Sequence, residues 1–421
     1  MSRVHLVTLG CPKNVVDSEK LLGRLAADGY ESTDDAEGAD LVVVNTCAFI
    51  HEARQESIDT ILGLADLKAD GARLVVTGCM AERYHGELAE ALPEVDVVAG
   101  FGESFVGPAP TGTPVTIGAK PAPAVPSFDL LNLPRPRSTR PWAYVKVAEG
   151  CDRACGFCAI PSFRGPQRSR MIESILDEVD QLAVQEVVLV AQDLAAFGRD
   201  QGVGERSIVP LVGAVAERVR RTRLLYLYPS DLTDGLIDAI CATGVPYFDL
   251  SLQHVAAPLV RRMRRWGNGE KYLRRIADIR AREPDAAFRS NFIVGYPGET
   301  EEHHDELLRF VEEAEVDWCG FFAYSPEDGT YAVDLPDQVP EGLVGERLAE
   351  LRELQDDITA RKRDRLIGST VEVLVDTPGV GRTHREAPEI DGVVVVPDTL
   401  AAGTFATLTV TGALGPDLEA Q

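Results

Sequence analysis

Short apolar runs alternate with helix-like segments over the first hundred residues. The runs VHLVTLG (4–10), DLVVVNT (40–46) and ARLVVTG (72–78) are rich in Val and Leu, and helix-like sequence follows each of them. Strands of a parallel sheet are covered on both faces, so they are typically continuous apolar runs of this kind. We therefore predict a parallel α/β domain over residues 1–105.

A second series of strand-like and helix-like segments begins at residue 142. Six βα units of this kind predict a partial (β/α)6 barrel, whose active site lies at the carboxyl ends of the strands. A charged, helix-like segment with an apolar stripe (341–367) follows, and we place the whole domain at residues 141–367. The six strand-like runs are WAYVKVA, EVVLVAQD, RLLYLYPS, YFDLSLQ, FRSNFIVG and DWCGFFAYS.

The two remaining segments have a different character. Nine prolines fall between residues 104 and 141, which predicts a linker over residues 106–140. From residue 368 to 421 the runs STVEVLVD, DGVVVVPD and GTFATLTVTG are alternating or Val-rich and are broken by Gly and Pro. This pattern predicts a small antiparallel β-barrel.

Composition and charge restrict the location and the partners of the chain. Its 421 residues are 45% hydrophobic, yet no apolar run approaches the ~20 residues that cross a bilayer. The N-terminus also lacks the pattern of a signal peptide, so we expect a cytoplasmic protein with no membrane partner. The net charge of −25 disfavours non-specific phosphate binding and favours basic partners.

Three cysteines stand where three successive strands end. Cys11, Cys47 and Cys79 follow the runs of the N-terminal domain, and parallel strands share one carboxyl edge. Each also precedes a predicted helix N-terminus, which favours the thiolate that binds metal. The shared edge can therefore bring the three thiols together. Because cytoplasmic cysteines are kept reduced, we predict that they form a metal site and not disulfides. The alternative is that each is a small buried apolar residue.

Three further cysteines form a compact motif after the first barrel strand. Cys151, Cys155 and Cys158 have the spacing C-x3-C-x2-C. Three thiolates can hold three irons of a four-iron cluster and leave the fourth iron open to a substrate. Zinc is the main alternative, but a structural zinc site takes four ligands, and no fourth Cys or His lies nearby in the sequence.

The cysteine motif resembles that of the radical S-adenosylmethionine superfamily, and the wider sequence is similar to the methylthiotransferase family. The resemblance covers essentially the whole chain and implies a C-terminal TRAM barrel that holds the substrate. It also implies two 4Fe-4S clusters, an auxiliary one on Cys11, Cys47 and Cys79 and a radical-generating one on Cys151, Cys155 and Cys158. The segments that carry it are LGCPKNVVDSE, NTCAFIHEARQES, TGCMAER, EGCDRACGFCAIPSFRGPQRSR, SLQHVAAPLVRRMRR and NFIVGYPGET.

The same resemblance suggests where S-adenosylmethionine binds. Gln192, after the second barrel strand, and Gly295, in the turn after the fifth, match superfamily positions near this cofactor. Ordinary strand-end and turn roles are the alternative for both. Four arginines at 261, 262, 264 and 265 either form a solvated helix face or bind an anionic group. We predict no catalytic residue beyond the cluster ligands.

Two substrates compete within the family. One branch modifies an isopentenyl-adenosine in tRNA, and the other modifies the β-carbon of an aspartate in protein twelve of the small ribosomal subunit. The forms GCPKN and NTCAFI resemble the second branch. Residues 368–421 contain two arginines and eight acids, which suits a basic protein better than tRNA. Provided that Glu372 and Asp376 face outward, they are expected to attract that protein.

We therefore predict a radical S-adenosylmethionine methylthiotransferase acting on the ribosomal aspartate. Its partners are the basic ribosomal protein and an electron donor such as flavodoxin. Modification of tRNA and a non-catalytic iron-sulfur carrier are the alternatives.

Overall fold

The computed structural model describes residues 2–103, 105, 129–202 and 208–421. These residues form two compact units, one comprising Met1–Pro136 with Ala159–Pro166 and the other comprising Arg137–Cys158 with Gln167–Gln421. Most of the predicted linker, residues 106–128, lies outside the described residues. Within the described ranges, no helix is both long and apolar enough to span a membrane.

The first unit is the predicted parallel α/β domain. Its described residues form a five-stranded parallel sheet in the order β2-β1-β3-β4-β5. The elements are β1 (Ser2–Thr8), α1 (Pro12–Ala27), β2 (Tyr30–Ser32), β3 (Leu41–Thr46), α2 (His51–Leu67), β4 (Arg73–Gly78), α3 (Cys79–Ala91) and β5 (Val97–Val98).

Burial on both faces explains the apolar runs of this sheet. All six residues of β3 are buried. Val42 and Val44 pack in one apolar cluster with Ile61, whereas Val43 packs in another with Leu21. Helices therefore cover both faces, and the strand contains no alternation that would reveal a solvent-exposed side.

The second unit contains the predicted barrel. In the described part of this unit, parallel sheets β6-β9-β10 and β11-β12-β13 are linked by a bridge between Leu227 and Leu250, so six strands follow chain order. The elements are β6 (Trp142–Lys146), β7 (Ala148–Glu149), β8 (Arg168–Ser169), α5 (Ile172–Leu182), β9 (Glu186–Val190), α6 (Ile208–Ala216), β10 (Arg221–Leu224), α7 (Asp234–Cys241), β11 (Tyr247–Gln253), α8 (Ala257–Arg262), α9 (Gly269–Arg282), β12 (Ala287–Val294), α10 (Glu301–Ala314), β13 (Trp318–Ala323) and α11 (Glu341–Asp364). The short helix α4 (Ile160–Arg164) falls between β7 and β8 in the chain but belongs to the first unit.

The C-terminal segment, fully described from residue 368 to 421, forms a small closed barrel in the order β14-β15-β16-β18-β17. One pair, β16 with β18, is parallel, and the others are antiparallel. Five strands in a closed ring cannot alternate in direction at every step, so a purely antiparallel barrel is impossible here. The strands are β14 (Thr370–Thr377), β15 (Val380–Arg382), β16 (Val394–Val395), β17 (Phe405–Leu414) and β18 (Asp417–Ala420).

Candidate functional site

The three N-terminal cysteines lie at the carboxyl edge of the sheet. Cys11 is the residue before α1, Cys47 directly follows β3, and Cys79 begins α3 directly after β4. Strands β1, β3 and β4 are neighbours in the sheet. The thiols are therefore brought to one edge, as the sequence indicates, although 68 residues separate the first from the last.

Two glycines allow this edge to close around the thiols. Gly10 has φ +94°, and a Cβ on it would lie 2.9 Å from the Cys47 sulfur. Gly78 has φ +92°, and its Cβ would lie 2.6 Å from the backbone nitrogen of Thr46. Side chains rarely adopt this conformation, and there is no space for one. The Gly-Cys pairs of the sequence thus have a steric reason.

Asn14, in the first turn of α1, connects the strand ends. Its side-chain amide donates to the carbonyl oxygens of Leu9 (2.8 Å) and Thr46 (3.1 Å). Its own oxygen lies 3.7 Å from the Cys79 sulfur. One buried side chain thereby holds the ends of β1 and β3 beside a thiol.

The three thiols influence one another electrostatically. Burial, with the nearby Cys79 and Cys11, raises the pKa of Cys47 to about 12. Burial also raises the pKa of Cys79, although the Arg164 charge opposes it. For Cys11 burial is outweighed by the charges of Lys13 and Arg164, and the net pKa shift is downward. Three cysteine sulfurs at one sheet edge are soft ligands of the kind that iron-sulfur clusters take.

The second cysteine set lies in a loop at the carboxyl end of the first barrel strands. Cys151 is buried, whereas Cys155 and Cys158 are partly exposed. The backbone N–H of Gly156 donates to the Met263 carbonyl (2.8 Å), and the Gly156 carbonyl accepts from the N–H of Ala332 (2.8 Å). These bonds hold the loop from two sides.

One arginine of the run noted in the sequence contacts this loop. Arg265 Nη1 lies 3.1 Å from the Cys155 sulfur, and its Nη2 donates to the Ser251 carbonyl. Burial, first, and then Asp193 and Cys155 raise the pKa of Cys151 to about 11, partly opposed by Arg153. The interpretation of the arginine run as a solvated face is therefore wrong for Arg265, although Arg261 and Arg264 are exposed.

Gln192 lies in a polar chain near the same loop. Its amide nitrogen donates to Glu149 (2.8 Å), whose other oxygen accepts from Lys146 (2.6 Å). Among the described residues, the buried Gln192 Oε1 has no hydrogen-bond partner. A buried amide oxygen without a donor is costly. A bound ligand with an N–H or O–H group would satisfy it, so this residue fits a cofactor contact.

Gly295 has a packing reason of its own. Its φ is +80°, and a Cβ would lie 2.4 Å from a methyl group of Val344. Its N–H also donates to Glu299 (2.8 Å). The turn and the approach of α11 therefore explain the glycine, and a contact with S-adenosylmethionine stays a prediction.

Neither cysteine set has the geometry of a site for one ion. Among the described residues, no group of three or more His, Cys, Asp or Glu side chains could hold a metal ion. In a four-iron cluster each thiolate binds its own iron, so its ligands need not surround a single centre. The chemistry of the two sets suits clusters, and their assignment as cluster ligands stays a prediction.

Most acids of the C-terminal barrel are paired within the second unit, which corrects the sequence interpretation. Glu372 pairs with Arg220 and Arg221, and Asp376 pairs with the buried Arg382 (2.6 Å). Glu372 faces outward, with 43% of its side chain exposed, whereas only 16% of the Asp376 side chain is exposed, so Glu372 alone meets the condition, and it is paired. The other paired acids are Glu386 with Arg363, Glu389 with Arg140, and Asp391 with Arg289.

Family models match three parts of the chain. Residues 3–100 match the uncharacterized protein family UPF0004, residues 145–311 the radical SAM superfamily, and residues 367–421 the TRAM domain.

Curated relatives match over nearly the full length of the chain. The ribosomal protein uS12 methylthiotransferase RimO of Kineococcus radiotolerans is 41% identical, with 99% of this chain and 96% of the relative covered. The protein of the same name from Moorella thermoacetica is 43% identical over 98% of this chain and 97% of its own length. Among solved structures, the radical S-adenosylmethionine methyltransferase TsrM from Kitasatospora setae is 15% identical, with a TM-score of 0.47, covering 96% of this chain and 84% of its own.

Proposed function

This chain belongs to the RimO family of ribosomal protein uS12 methylthiotransferases, and we propose that it methylthiolates the β-carbon of an aspartate in uS12. It is a radical S-adenosylmethionine enzyme that transfers methylthio groups. The observation that carries the proposal is the convergence of Cys11, Cys47 and Cys79, in addition to the cysteine loop. A second thiol site gives the enzyme a separate place to hold the sulfur that it transfers.

The two cysteine sets have different roles in this proposal. Cys151, Cys155 and Cys158 hold the cluster that binds S-adenosylmethionine, and the N-terminal set holds an auxiliary 4Fe-4S cluster. When bound, these groups supply radical chemistry that can abstract hydrogen from an unactivated carbon. The partly exposed Cys155 and Cys158 leave room for a ligand. Gln192 would accept a hydrogen bond from the cofactor with its unpaired oxygen.

Substrate, partners and domain boundaries complete the proposal. The substrate is the basic uS12, free or in the ribosomal subunit, and electrons come from a donor such as flavodoxin. We infer a cytoplasmic location from the ribosomal substrate. We assign residues 1–105 to the auxiliary-cluster domain, 106–140 to a linker, 141–367 to the radical barrel and 368–421 to TRAM. The paired acids of the TRAM barrel support its docking to the radical barrel more than attraction of the substrate.

One experiment separates this function from the alternatives. The anaerobically reconstituted protein is incubated with S-adenosylmethionine, a reductant and either uS12 or tRNA containing isopentenyl-adenosine. We expect 5′-deoxyadenosine, and a mass increase on uS12 equal to the replacement of one hydrogen by a methylthio group. Modification of the tRNA alone would contradict the substrate assignment. Absence of both products, with both clusters loaded, would indicate an iron-sulfur carrier.

A further inference from the structure

Arg164 belongs to the N-terminal unit although it is distant from it in the sequence. The segment Ala159–Pro166 directly follows Cys158 in the chain, yet its contacts place it with residues 1–136. It contains the short helix α4, and Arg164 is the last residue of that helix. The side chain of Arg164 is only 3% exposed. A cation buried this deeply needs partners that compensate for its lost hydration.

Those partners include a candidate cluster ligand. Arg164 Nη2 lies 2.9 Å from the Cys79 sulfur and 2.8 Å from the oxygen of Asn14. Its Nη1 lies 3.4 Å from Asp17. The guanidinium carbon also lies over the ring of Phe101, 4.4 Å from its centroid. The planar, forked group is therefore held from several sides, with one nitrogen directed at a thiol.

The charge of Arg164 acts on all three N-terminal thiols. It opposes the effect of burial on the pKa of Cys11, Cys47 and Cys79 alike. In a site excluded from water, such a charge is screened much less than it would be at the surface. Negative charge on a group bound by these thiols is stabilised by the same interaction.

We propose that Arg164 is a positioning residue of the auxiliary site, which orients the Cys79 sulfur and stabilises negative charge on the cluster bound there. This inference rests on the proposed function, because it assumes a cluster on the N-terminal thiols. Reduction adds negative charge to a cluster, so a neighbouring guanidinium raises its reduction potential. Loss of Arg164 should therefore make the cluster harder to reduce and easier to lose.

The test uses the full chain with Cys151, Cys155 and Cys158 replaced by Ala, so that only the N-terminal site can bind a cluster. Arg164→Gln and Arg164→Lys are compared in this parent. Arg135→Gln is the matched control, because Arg135 is a second buried arginine of the same unit and pairs with Glu19. Iron and sulfide per chain, iron loss to a chelator and the midpoint potential by redox titration with EPR are measured.

We expect Arg164→Gln to lose iron faster and, at a fixed potential, to have a reduced-to-oxidised ratio about tenfold lower, which corresponds to a shift of ~59 mV to more negative potential. Arg164→Lys, which retains the charge but not the fork, should fall between the parent and Arg164→Gln. Arg135→Gln should match the parent. Should Arg164→Gln not fold, Arg164→Lys carries the same comparison.

Equal potentials and iron retention in the Arg164 variants and the parent would overturn the inference and leave the auxiliary cluster intact. Equal effects of Arg164→Gln and Arg135→Gln would show that loss of any buried arginine destabilises this unit, and would also overturn the inference. A parent that binds no iron would instead overturn the auxiliary cluster itself.

Discussion

The two cysteine sites of this protein are built in opposite ways. The loop site takes its three cysteines, Cys151, Cys155 and Cys158, from a span of eight residues. The N-terminal site takes Cys11, Cys47 and Cys79 from the ends of three different strands. The loop can bring its thiols together through local backbone geometry. The N-terminal thiols meet only after the parallel sheet has formed, because each is placed by the end of a different strand.

Their surroundings differ in the same sense. In the N-terminal set Cys47 and Cys79 are buried and Cys11 is partly exposed, whereas in the loop set Cys151 is buried and Cys155 and Cys158 are partly exposed. Each site nevertheless has an arginine nitrogen close to one sulfur, Arg164 at Cys79 and Arg265 at Cys155. The N-terminal site is thus the more closed of the two, with two buried cysteines against one in the loop.

The largest expected effect comes from removing one site at a time. With Cys11, Cys47 and Cys79 replaced by Ala, methylthiolation of uS12 should be abolished while 5′-deoxyadenosine still forms, because the loop site is intact. With Cys151, Cys155 and Cys158 replaced by Ala, both products should be lost. Each triple variant should keep half the iron of the wild type. Product analysis and iron assays check this, and a folded N-terminal variant with its loop cluster but no 5′-deoxyadenosine would contradict it.

The dependence of the N-terminal site on the folded sheet can be tested at Gly78. Gly78→Ala places a Cβ against the backbone of Thr46 at a left-handed φ, and should destabilise the N-terminal unit by about 3 kcal/mol. Gly71→Ala is the control, because Gly71 has φ +88° but nothing within 4 Å of the added Cβ. It should cost only about 1 kcal/mol. Denaturant titration and iron per chain are measured, and equal losses in the two variants would contradict the steric argument.

Thiol reactivity in the cluster-free protein should differ within the N-terminal site. The thiolate is the reactive form, the pKa of Cys11 is lowered, and the pKa of Cys47 is raised to about 12. Near pH 8, Cys11 should therefore be alkylated at least tenfold faster than Cys47, and Cys47 should gain reactivity as pH rises. Peptide mass spectrometry after timed iodoacetamide treatment gives both rates. Equal rates near pH 8 and above would contradict the opposite pKa shifts of Cys11 and Cys47.

The smallest effect is expected from the arginine of the loop site. The chain for this test has Cys11, Cys47 and Cys79 replaced by Ala, so that only the loop site binds a cluster. In it, Arg265→Gln should lower the reduction potential of the loop cluster. This shift should be smaller than the one that Arg164→Gln causes at the N-terminal cluster. The loop is partly exposed, so water screens part of the lost charge. Redox titration of the two single-site proteins makes the comparison. A larger shift for Arg265→Gln than for Arg164→Gln would contradict the argument that water screens the loop site more strongly.

Local patterns made much of the architecture predictable. The Val-rich runs predicted the parallel sheet, the repeated βα units predicted the partial barrel, and both are confirmed. The tail barrel was predicted as antiparallel, but its β16–β18 pair is parallel because five strands close the ring. The direction of that pair follows from closure of the whole barrel, and the sequence of a single strand does not reveal it.

The sequence alone determined where the thiols stand, because strand ends and a C-x3-C-x2-C spacing are properties of short segments. Only the tertiary structure decided which charges surround them. Arg164 contacts a sulfur 85 residues away, and Arg265 contacts one 110 residues away. Tail acids counted as free charges are likewise paired with arginines far along the chain, such as Arg220 with Glu372. Contacts between groups so distant in sequence arise from packing, and no local pattern specifies them.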